Sequence, residues 1–120
     1  MAQRWYISGP MTGLEDWNRP AFDEAESTLE DMGLATFNPA RAFPVKEIEC
    51  WEECIIRDVL HMLDTNDQWC VALLPGWEDS RGARLEAMLA FSRNWPVALY
   101  TGDRLSIIPR RSLFSKLRST

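Results

Sequence analysis

The sequence is poor in the residues that usually bind transition metals. It contains a single histidine, His61, and three cysteines, Cys50, Cys54 and Cys70. A closed zinc site takes four ligands at tight, paired spacings, whereas Cys50 and Cys54 are separated by three residues. Because three is an odd number, at least one cysteine has no disulfide partner within the chain. An unpaired cysteine is typical of proteins in a reducing compartment. We therefore expect three reduced thiols, and neither a metal nor a cofactor.

Long apolar segments are also absent from the sequence. No run approaches the roughly 20 residues that span a bilayer, and residues 1–5 lack the apolar core and cleavage site of a signal peptide. The chain has 120 residues and a hydrophobic fraction of 46%, which are ordinary values for a globular domain. We expect a single domain that makes no membrane contact and is located in the cytoplasm.

Positive charge is scarce except near the C-terminus. The net charge is −5, which argues against binding to a nucleic-acid polymer. Beyond Asp103 there is no acidic residue, and the basic residues are Arg104, Arg110, Arg111, Lys116 and Arg118. We therefore divide the chain into a domain of residues 1–103 and a basic C-terminal tail of residues 104–120. The tail is expected to be solvated, as termini usually are; contact with a neighbouring subunit or a phosphate is the alternative.

Hydrophobic periodicity predicts strands that alternate with helices. The predicted strands are Arg4–Ser8, Leu34–Phe37, Trp69–Leu74 and Pro96–Tyr100, with Leu105–Ile108 as a candidate fifth strand. The predicted helices extend from about Asn18 to Gly33, Ile48 to Leu63 and Ser80 to Asn94, and residues 40–46 form a predicted loop. Such alternation is typical of parallel strands joined by right-handed crossovers. It predicts a three-layer α/β/α sandwich with a parallel sheet of four or five strands.

The carboxyl edge of this predicted sheet is where a ligand is expected to bind. Three segments reach that edge: the loop after the first strand, Asn38-Pro39, and the loop after Leu74. The candidate substrate-binding residues on these segments are Ser8, Gly9, Pro10, Met11, Asn38, Gly76 and Trp77. An indole on such a loop, as at Trp17 or Trp77, either stacks on a base or packs as a lid, and packing is the commoner role.

Glu86 is the candidate catalytic carboxylate. Its neighbours one turn away on the third predicted helix are Gly82, Ala83 and Ala90, which are small enough to leave a hollow around the carboxylate. A solvated side chain is the commoner state of a helical glutamate. The start of the same helix, at Ser80, offers a hydroxyl, free backbone amides and the positive end of a helix dipole, which together suit a phosphate.

Three further polar residues flank these candidates. Asp79 competes with Ser80 for the N-cap position of the third helix, and a cap is the ordinary role of either residue. Asp67 precedes the apolar third strand, where its carboxylate either faces the same edge or belongs to a turn with Asn66. Asp58 lies at the margin of the second helix's apolar stripe, where a partly buried carboxylate needs a partner. A salt bridge with an arginine is the favoured interpretation of Asp58, which also counts as a candidate substrate-binding residue.

Three segments in order resemble the nucleoside 2-deoxyribosyltransferase-like family, including its nucleotide N-glycosidase branch. The first segment is Tyr-Ile-Ser-Gly-Pro-Met-Thr-Gly at 6–13, and the second is Asp67 followed by the apolar run at 69–74. The third is Asp-Ser-Arg-Gly-Ala-Arg-Leu-Glu at 79–86, followed by an alanine-bearing helix and Pro96-Val97. The likeness extends from about residue 4 to residue 100. The local sequence Leu-Pro-Gly-Trp at 74–77 is similar to uncharacterised bacterial and phage members.

The resemblance implies a flavodoxin-like sheet and a double displacement that retains configuration. Residues 1–103 would then form a nucleoside 2-deoxyribosyltransferase-like domain. Glu86 matches the nucleophile that attacks the anomeric carbon and forms a glycosyl-enzyme. Asp67 matches the proton donor that assists departure of the base, and Tyr6 matches a tyrosine that orients the nucleophile. Family members complete their sites across a dimer interface, which implies a homodimer or a larger homo-oligomer.

Ser80 favours a nucleotide over a free nucleoside as the expected substrate. The resemblance implies an acidic residue at this position in transferases that act on free nucleosides, and a serine that contacts the 5′-phosphate in nucleotide hydrolases. Hydrolysis of a (deoxy)nucleoside 5′-monophosphate is therefore the leading expectation, with Gly82 and Ala83 as further substrate-binding residues. Two positions depart from the pattern, because Pro10 stands where nucleotide hydrolases tend to have a serine and Asp79 adds negative charge beside the phosphate.

Two other functions are compatible with the same sequence features. A nucleoside 2-deoxyribosyltransferase moves the sugar to a second base instead of to water. A non-catalytic nucleotide-binding or sensing module would use the same fold without turnover. A flavodoxin-like redox protein lacks support, because the first strand is not followed by the usual phosphate-binding loop of Gly, Ser and Thr.

Overall fold

The computed structural model describes residues 3–11, 13–42, 51–65 and 68–118, with only the backbone given for residues 51–55. The strands in these ranges are β1 (Gln3–Ser8), β2 (Thr36–Phe37), β3 (Gln68–Leu73), β4 (Val97–Tyr100) and β5 (Leu105–Ile107). The helices are α1 (Arg19–Asp31), α2 (Pro39–Ala42), α3 (Trp51–Asp64), α4 (Arg81–Ser92) and α5 (Arg110–Arg118). Short 3-10 turns at Glu15–Asn18 and Trp77–Asp79 precede α1 and α4.

The strands form one sheet in the order β2-β1-β3-β4-β5. The first four strands are parallel, and β5 is antiparallel to β4. This is the strand order of flavodoxin-like folds, in which the chain leaves β1 in opposite directions to reach β2 and β3. The predicted α/β class and flavodoxin-like sandwich are therefore confirmed. The point where strand order reverses lies between the carboxyl ends of β1 and β3, and the candidate site is found there.

Two apolar layers pack against opposite faces of the sheet, as strand alternation requires. Trp5 and Ile7 of β1 face α1 and α2, where Phe22 and Leu29 are buried. Tyr6 of β1 faces the opposite layer. The buried residues contributed by the helices of that layer are Met62 of α3, Ala83, Ala87 and Ala90 of α4, and Leu113 of α5. Alanines on α4 let this helix approach the sheet closely, which brings its polar residue Glu86 against the end of β1.

The C-terminal segment differs from the expectation of a solvated tail. Residues 104–118 include β5 and α5, and Leu113 is only 1% exposed. Two arginines join α5 to α4 at opposite ends, because Arg84 donates to the Leu117 carbonyl at 2.7 Å and Arg110 donates to the Phe91 carbonyl at 3.0 Å. Each guanidinium therefore donates to a carbonyl in the last turn of the neighbouring helix, where the carbonyls have no acceptor role within the α-helical ladder. The basic segment packs on the helix that bears Glu86.

Two other elements differ from the predicted pattern. Residues Pro39–Ala42 form the short helix α2, where a loop was predicted over 40–46. The fifth strand is present but antiparallel, because the four residues 101–104 between β4 and β5 permit a hairpin and not a crossover. None of the helices in the described ranges combines the length and the hydrophobicity that a transmembrane span requires.

Candidate active site

Strand β1 supplies two hydroxyl groups that contact one carboxylate. Tyr6 and Ser8 are two residues apart and therefore project from the same face of the strand, toward α4. The Tyr6 hydroxyl donates to Oε2 of Glu86 at 2.6 Å, and the Ser8 hydroxyl donates to Oε1 of Glu86 at 2.6 Å. Tyr6 is 0% exposed, Ser8 1% and Glu86 5%. Both carboxylate oxygens of Glu86 are thus held in a nearly dry environment by short hydrogen bonds.

Helix α4 presents Glu86 to β1 because of how the helix begins. Ser80 is its N-cap, and the Ser80 Oγ accepts a hydrogen bond from the Ala83 amide at 3.2 Å. Asp79, the competing candidate for the cap, lies in the preceding 3-10 turn and is exposed. Glu86 lies in the second turn of the helix, six residues after the cap, between Ala83 and Ala90 on the buried face. Of the small residues predicted around Glu86, Ala83 and Ala90 pack this helix on the sheet together with Ala87, whereas Gly82 is half-buried.

Helix α3 adds a second carboxyl group to the site. Asp58 is only 6% exposed, and its side chain interacts by hydrogen bonding with both Glu86 and Tyr6. Nε of Arg57 lies 3.9 Å from Oδ1 of Asp58, so an arginine partner is present, as the sequence suggested. Asp58 and Met62 are one turn apart and both buried, which shows that α3 turns this aspartate toward the sheet.

The electrostatics of the group favour a proton on the carboxyl pair. Burial, and then the negative charge of Asp58, raise the pKa of Glu86 from an ordinary 4.5 to about 8, although the hydrogen bonds from Ser8 and Tyr6 oppose this rise. Burial, followed by the charges of Glu86 and Asp58, raises the pKa of Tyr6 well above its ordinary value. Tyr6 therefore remains a neutral hydrogen-bond donor. The pair of carboxyls holds one proton at neutral pH, because two adjacent buried carboxylates repel each other.

Close backbone packing shapes the loops beside these groups. The Leu74 amide donates to the Ser8 carbonyl at 2.8 Å, and a Cβ on Gly9 would lie 2.7 Å from Cβ of Leu74. A larger residue at Gly9 would therefore displace Leu74. Gly76 has a φ of +89°, a conformation that favours glycine, and a Cβ at this position would lie 3.4 Å from Cγ of Pro10. The loops after β1 and β3 are thereby held together at the strand-order reversal.

The remaining predicted residues are distributed over both faces of the sheet, and Met11 packs against the core on the α1 side. Pro10 and Met11 are half-buried on the loop after β1, and the Asn18 side-chain amide donates to the Pro10 carbonyl at 2.9 Å. Gly82 is half-buried in the first turn of α4. Trp77 is 1% exposed and belongs to the core on the α4 side of the sheet. The Trp77 indole is therefore covered by other protein side chains. It packs in the core and offers no open surface on which a base could stack.

Asn38 is not brought together with Glu86. Its side-chain amide donates to Asp23 at 2.9 Å and to Glu26 at 3.3 Å, and its Oδ1 accepts from the Ala40 amide at 3.0 Å. These bonds join α2 to α1, on the opposite face of the sheet from α4. Asp67 lies outside the described residues, so its predicted role as proton donor stays a prediction. No group of three His, Cys, Asp or Glu side chains suitable for a metal occurs within the described ranges.

Two relationships in the site were not predicted from the sequence. Ser8 was a candidate for binding substrate, whereas its hydroxyl is bonded to Glu86. Asp58 was interpreted mainly as a salt-bridge partner, whereas it also faces Glu86 and Tyr6. Two sequence features could have indicated these contacts: the two-residue spacing of Tyr6 and Ser8 on a strand, and the four-residue spacing of Asp58 and Met62 on a helix. Four side chains form this carboxyl site: Tyr6, Ser8, Asp58 and Glu86. Together they can hold a proton, transfer it and present a carboxylate of fixed orientation.

Comparison with known proteins identifies a protein family. The family described as a domain of unknown function (DUF4406) matches residues 3–99. This range includes every element from β1 to most of β4, and all four side chains of the carboxyl site. No curated protein and no solved structure matches the chain.

Proposed function

The chain belongs to the DUF4406 family of domains of unknown function, and we propose that it hydrolyses the N-glycosidic bond of a (deoxy)nucleoside 5′-monophosphate. The observation that carries this proposal is the placement of Glu86. This buried carboxyl has both oxygens held by hydroxyls and a second carboxyl beside it, at the edge of the sheet where ligands bind. The resemblance to nucleoside 2-deoxyribosyltransferase-like proteins supplies the class of substrate.

Glu86 is the proposed nucleophile and Asp58 the proposed proton donor. Glu86 must lose its proton before it attacks, and Asp58 lies within hydrogen-bonding reach to receive it. The ionised Glu86 then forms a bond to the anomeric carbon of the sugar. As the bond from that carbon to the base nitrogen breaks, Asp58 delivers the proton to the departing base. Asp67, to which the resemblance gives this role, is the alternative donor.

Water completes the proposed reaction. After the base departs, the Asp58 carboxylate accepts a proton from a water molecule, whose oxygen attacks the anomeric carbon and releases Glu86. Free base and sugar 5-phosphate are the products, and the carboxyl pair again holds one proton. Two inversions at the same carbon give net retention, as in glycosidases whose two carboxyls lie close together.

The start of α4 supports a phosphate-bearing substrate. A serine hydroxyl has one donor and two acceptor lone pairs. Ser80 therefore keeps its O–H available for a phosphate while it accepts the Ala83 amide. Arg81 is exposed in the same turn, and the helix dipole adds favourable charge. Arg84 of the same helix donates to the Lys116 and Leu117 carbonyls at the end of α5.

A homodimer is part of the proposal. The helices that carry the two carboxyls each expose large apolar side chains beside them. Ile56 and Leu60 of α3 are each 58% exposed, and Leu85 and Met88 of α4 are 38% and 40% exposed. Neighbouring exposed apolar residues are typical of protein interfaces. A second copy packed here would lie beside the helices that carry Asp58 and Glu86. Sedimentation of wild-type protein beside Leu60→Glu tests this, since the variant is expected to be monomeric.

Release of free base is the test of the proposed reaction. Purified protein is incubated with a panel of nucleosides and their 5′-monophosphates, and base is separated by chromatography. We expect base from at least one monophosphate and much less from the matching nucleoside. Glu86→Gln is expected to abolish release, since the amide cannot form the glycosyl-enzyme.

The matched control is Glu24→Gln, which makes the same change at an exposed position of α1. This variant is expected to retain wild-type activity. Absence of base from every substrate, or full activity in Glu86→Gln, would show that the proposed function is wrong. Transfer of the sugar to an added second base, in preference to water, would instead identify a transferase.

A further inference from the structure

Ser8 has features that do not suit a substrate-binding serine. It is 1% exposed, and its hydroxyl is 2.6 Å from Oε1 of Glu86. Its backbone carbonyl is also occupied, by the Leu74 amide at 2.8 Å. A substrate would have to displace both the enclosing side chains and the carboxylate to reach this hydroxyl. The contacts of Ser8 are therefore directed to Glu86.

We propose that Ser8 is a positioning residue that fixes the Glu86 carboxyl and favours its ionised form, an inference that rests on the proposed function. Tyr6 and Ser8 hold the two oxygens of Glu86 separately, at 2.6 Å each. With one oxygen bonded to each hydroxyl, the carboxyl plane cannot rotate without losing a hydrogen bond. The strand spacing of two residues thereby sets the direction from which Glu86 meets a ligand.

The charge around Glu86 explains why a second hydroxyl is needed. Among the residues that the structure describes, the groups that face it are Asp58 on α3 and Tyr6 and Ser8 on β1, with Arg57 next to Asp58. Burial and Asp58 both disfavour the ionised form of Glu86, whereas the two hydroxyl donors stabilise it. Loss of the Ser8 donor would therefore hinder movement of the proton from Glu86 to Asp58.

This role has a kinetic consequence that separates it from substrate binding. A positioning residue that acts through Glu86 affects the chemical step, so Ser8→Ala is expected to lower kcat and leave KM close to wild type. A residue that binds substrate equally in the ground and transition states would raise KM instead. Retention of a hydroxyl in Ser8→Thr is expected to restore much of kcat.

Carbon-13 NMR of the glutamate carboxyl groups tests the proposal without any substrate. The Glu86 signal is identified by its absence in Glu86→Gln, and its titration midpoint is compared between wild type and Ser8→Ala. We expect a midpoint higher by about one to two pH units in Ser8→Ala, because the lost bond was made to a charged group. Ser106→Ala, at an exposed strand position, is the matched control and is expected to leave the midpoint unchanged.

The outcomes are separable from those of the proposed function. If Ser8→Ala does not fold, the Glu86 titration midpoint is measured in Ser8→Cys instead, since a thiol is a weak donor of similar size. An unchanged Glu86 midpoint in these variants would overturn the role of Ser8, whether or not the protein releases base. A raised midpoint in a protein that cleaves none of the tested substrates would support the Ser8–Glu86 coupling and refute the reaction.

Discussion

Replacement of Glu86 by glutamine is expected to stabilise the protein at high pH. The native state raises the pKa of Glu86 from 4.5 to about 8, so it holds a proton that the unfolded chain releases more readily. The stability contributed by this proton is fully present below about pH 4.5. It is lost as pH rises toward about 8, because the unfolded state then gains more from ionisation. Glutamine occupies the same space and carries no charge at any pH.

The size of the effect follows from the shift in pKa. A shift of one unit corresponds to about 1.36 kcal/mol, so a change from 4.5 to about 8 amounts to about 5 kcal/mol at most. Between pH 5 and pH 8 we expect the free energy of unfolding of Glu86→Gln to rise relative to wild type by about 3 to 5 kcal/mol. The two proteins should be close in stability near pH 5.

Urea denaturation at several pH values measures this difference. The two proteins are unfolded between pH 5 and pH 8, and the free energies of unfolding are compared at each pH. Glu24→Gln is the control, because the exposed Glu24 is expected to give a small and nearly constant difference. A difference between Glu86→Gln and wild type that stays constant with pH would refute the reasoning, because Glu86 would then have the same pKa in both states.

Three further predictions concern the proton pair and the packing around it. Base release is expected to fall above about pH 8, where the carboxyl pair loses the proton that the base requires; a pH–rate profile checks this, and undiminished kcat/KM at pH 9 would contradict it. Leu113→Ala, at a position 1% exposed, should lower the free energy of unfolding by about 2 to 5 kcal/mol. A solvated tail would give no such loss in the same urea titration. Gly9→Ala should lower the free energy of unfolding by about 1 to 3 kcal/mol, because its Cβ would lie 2.7 Å from Cβ of Leu74. A variant as stable as wild type would show that the loop moves aside without strain.

The sequence pattern predicted the sheet better than the C-terminal segment. Apolar runs at β1 and β3 are typical of central parallel strands, and the structure pairs them as neighbours. Helix α5 was missed because Arg110–Arg118 is short and rich in basic residues, so its apolar positions are few. Leu113 and Leu117, one turn apart, were the signal for a helix with one packed face. The direction of β5 depended on the length of the connection from β4.

The candidate site was predicted in part for a similar reason. Glu86 was proposed as the nucleophile chiefly from the family resemblance, with modest support from the small residues around it, of which Ala83 and Ala90 are buried on α4. The role of Asp58 depends on how far α3 is rotated, which the apolar stripe defines only to within a residue or so. The bond from Ser8 depends on the distance between β1 and α4, which is a property of the tertiary packing. Periodicity identifies a face, whereas contacts across layers require the assembled fold.

The configuration of the released sugar tests the central claim most directly. Cleavage is run in buffer that contains methanol, which competes with water for the glycosyl-enzyme and gives a methyl glycoside of stable configuration. A glycosyl-enzyme on Glu86 predicts retention at the anomeric carbon, observed by proton NMR as the β-methyl glycoside from a β-nucleotide. Formation of the inverted α-methyl glycoside would contradict nucleophilic attack by Glu86, and absence of cleavage would contradict the reaction itself.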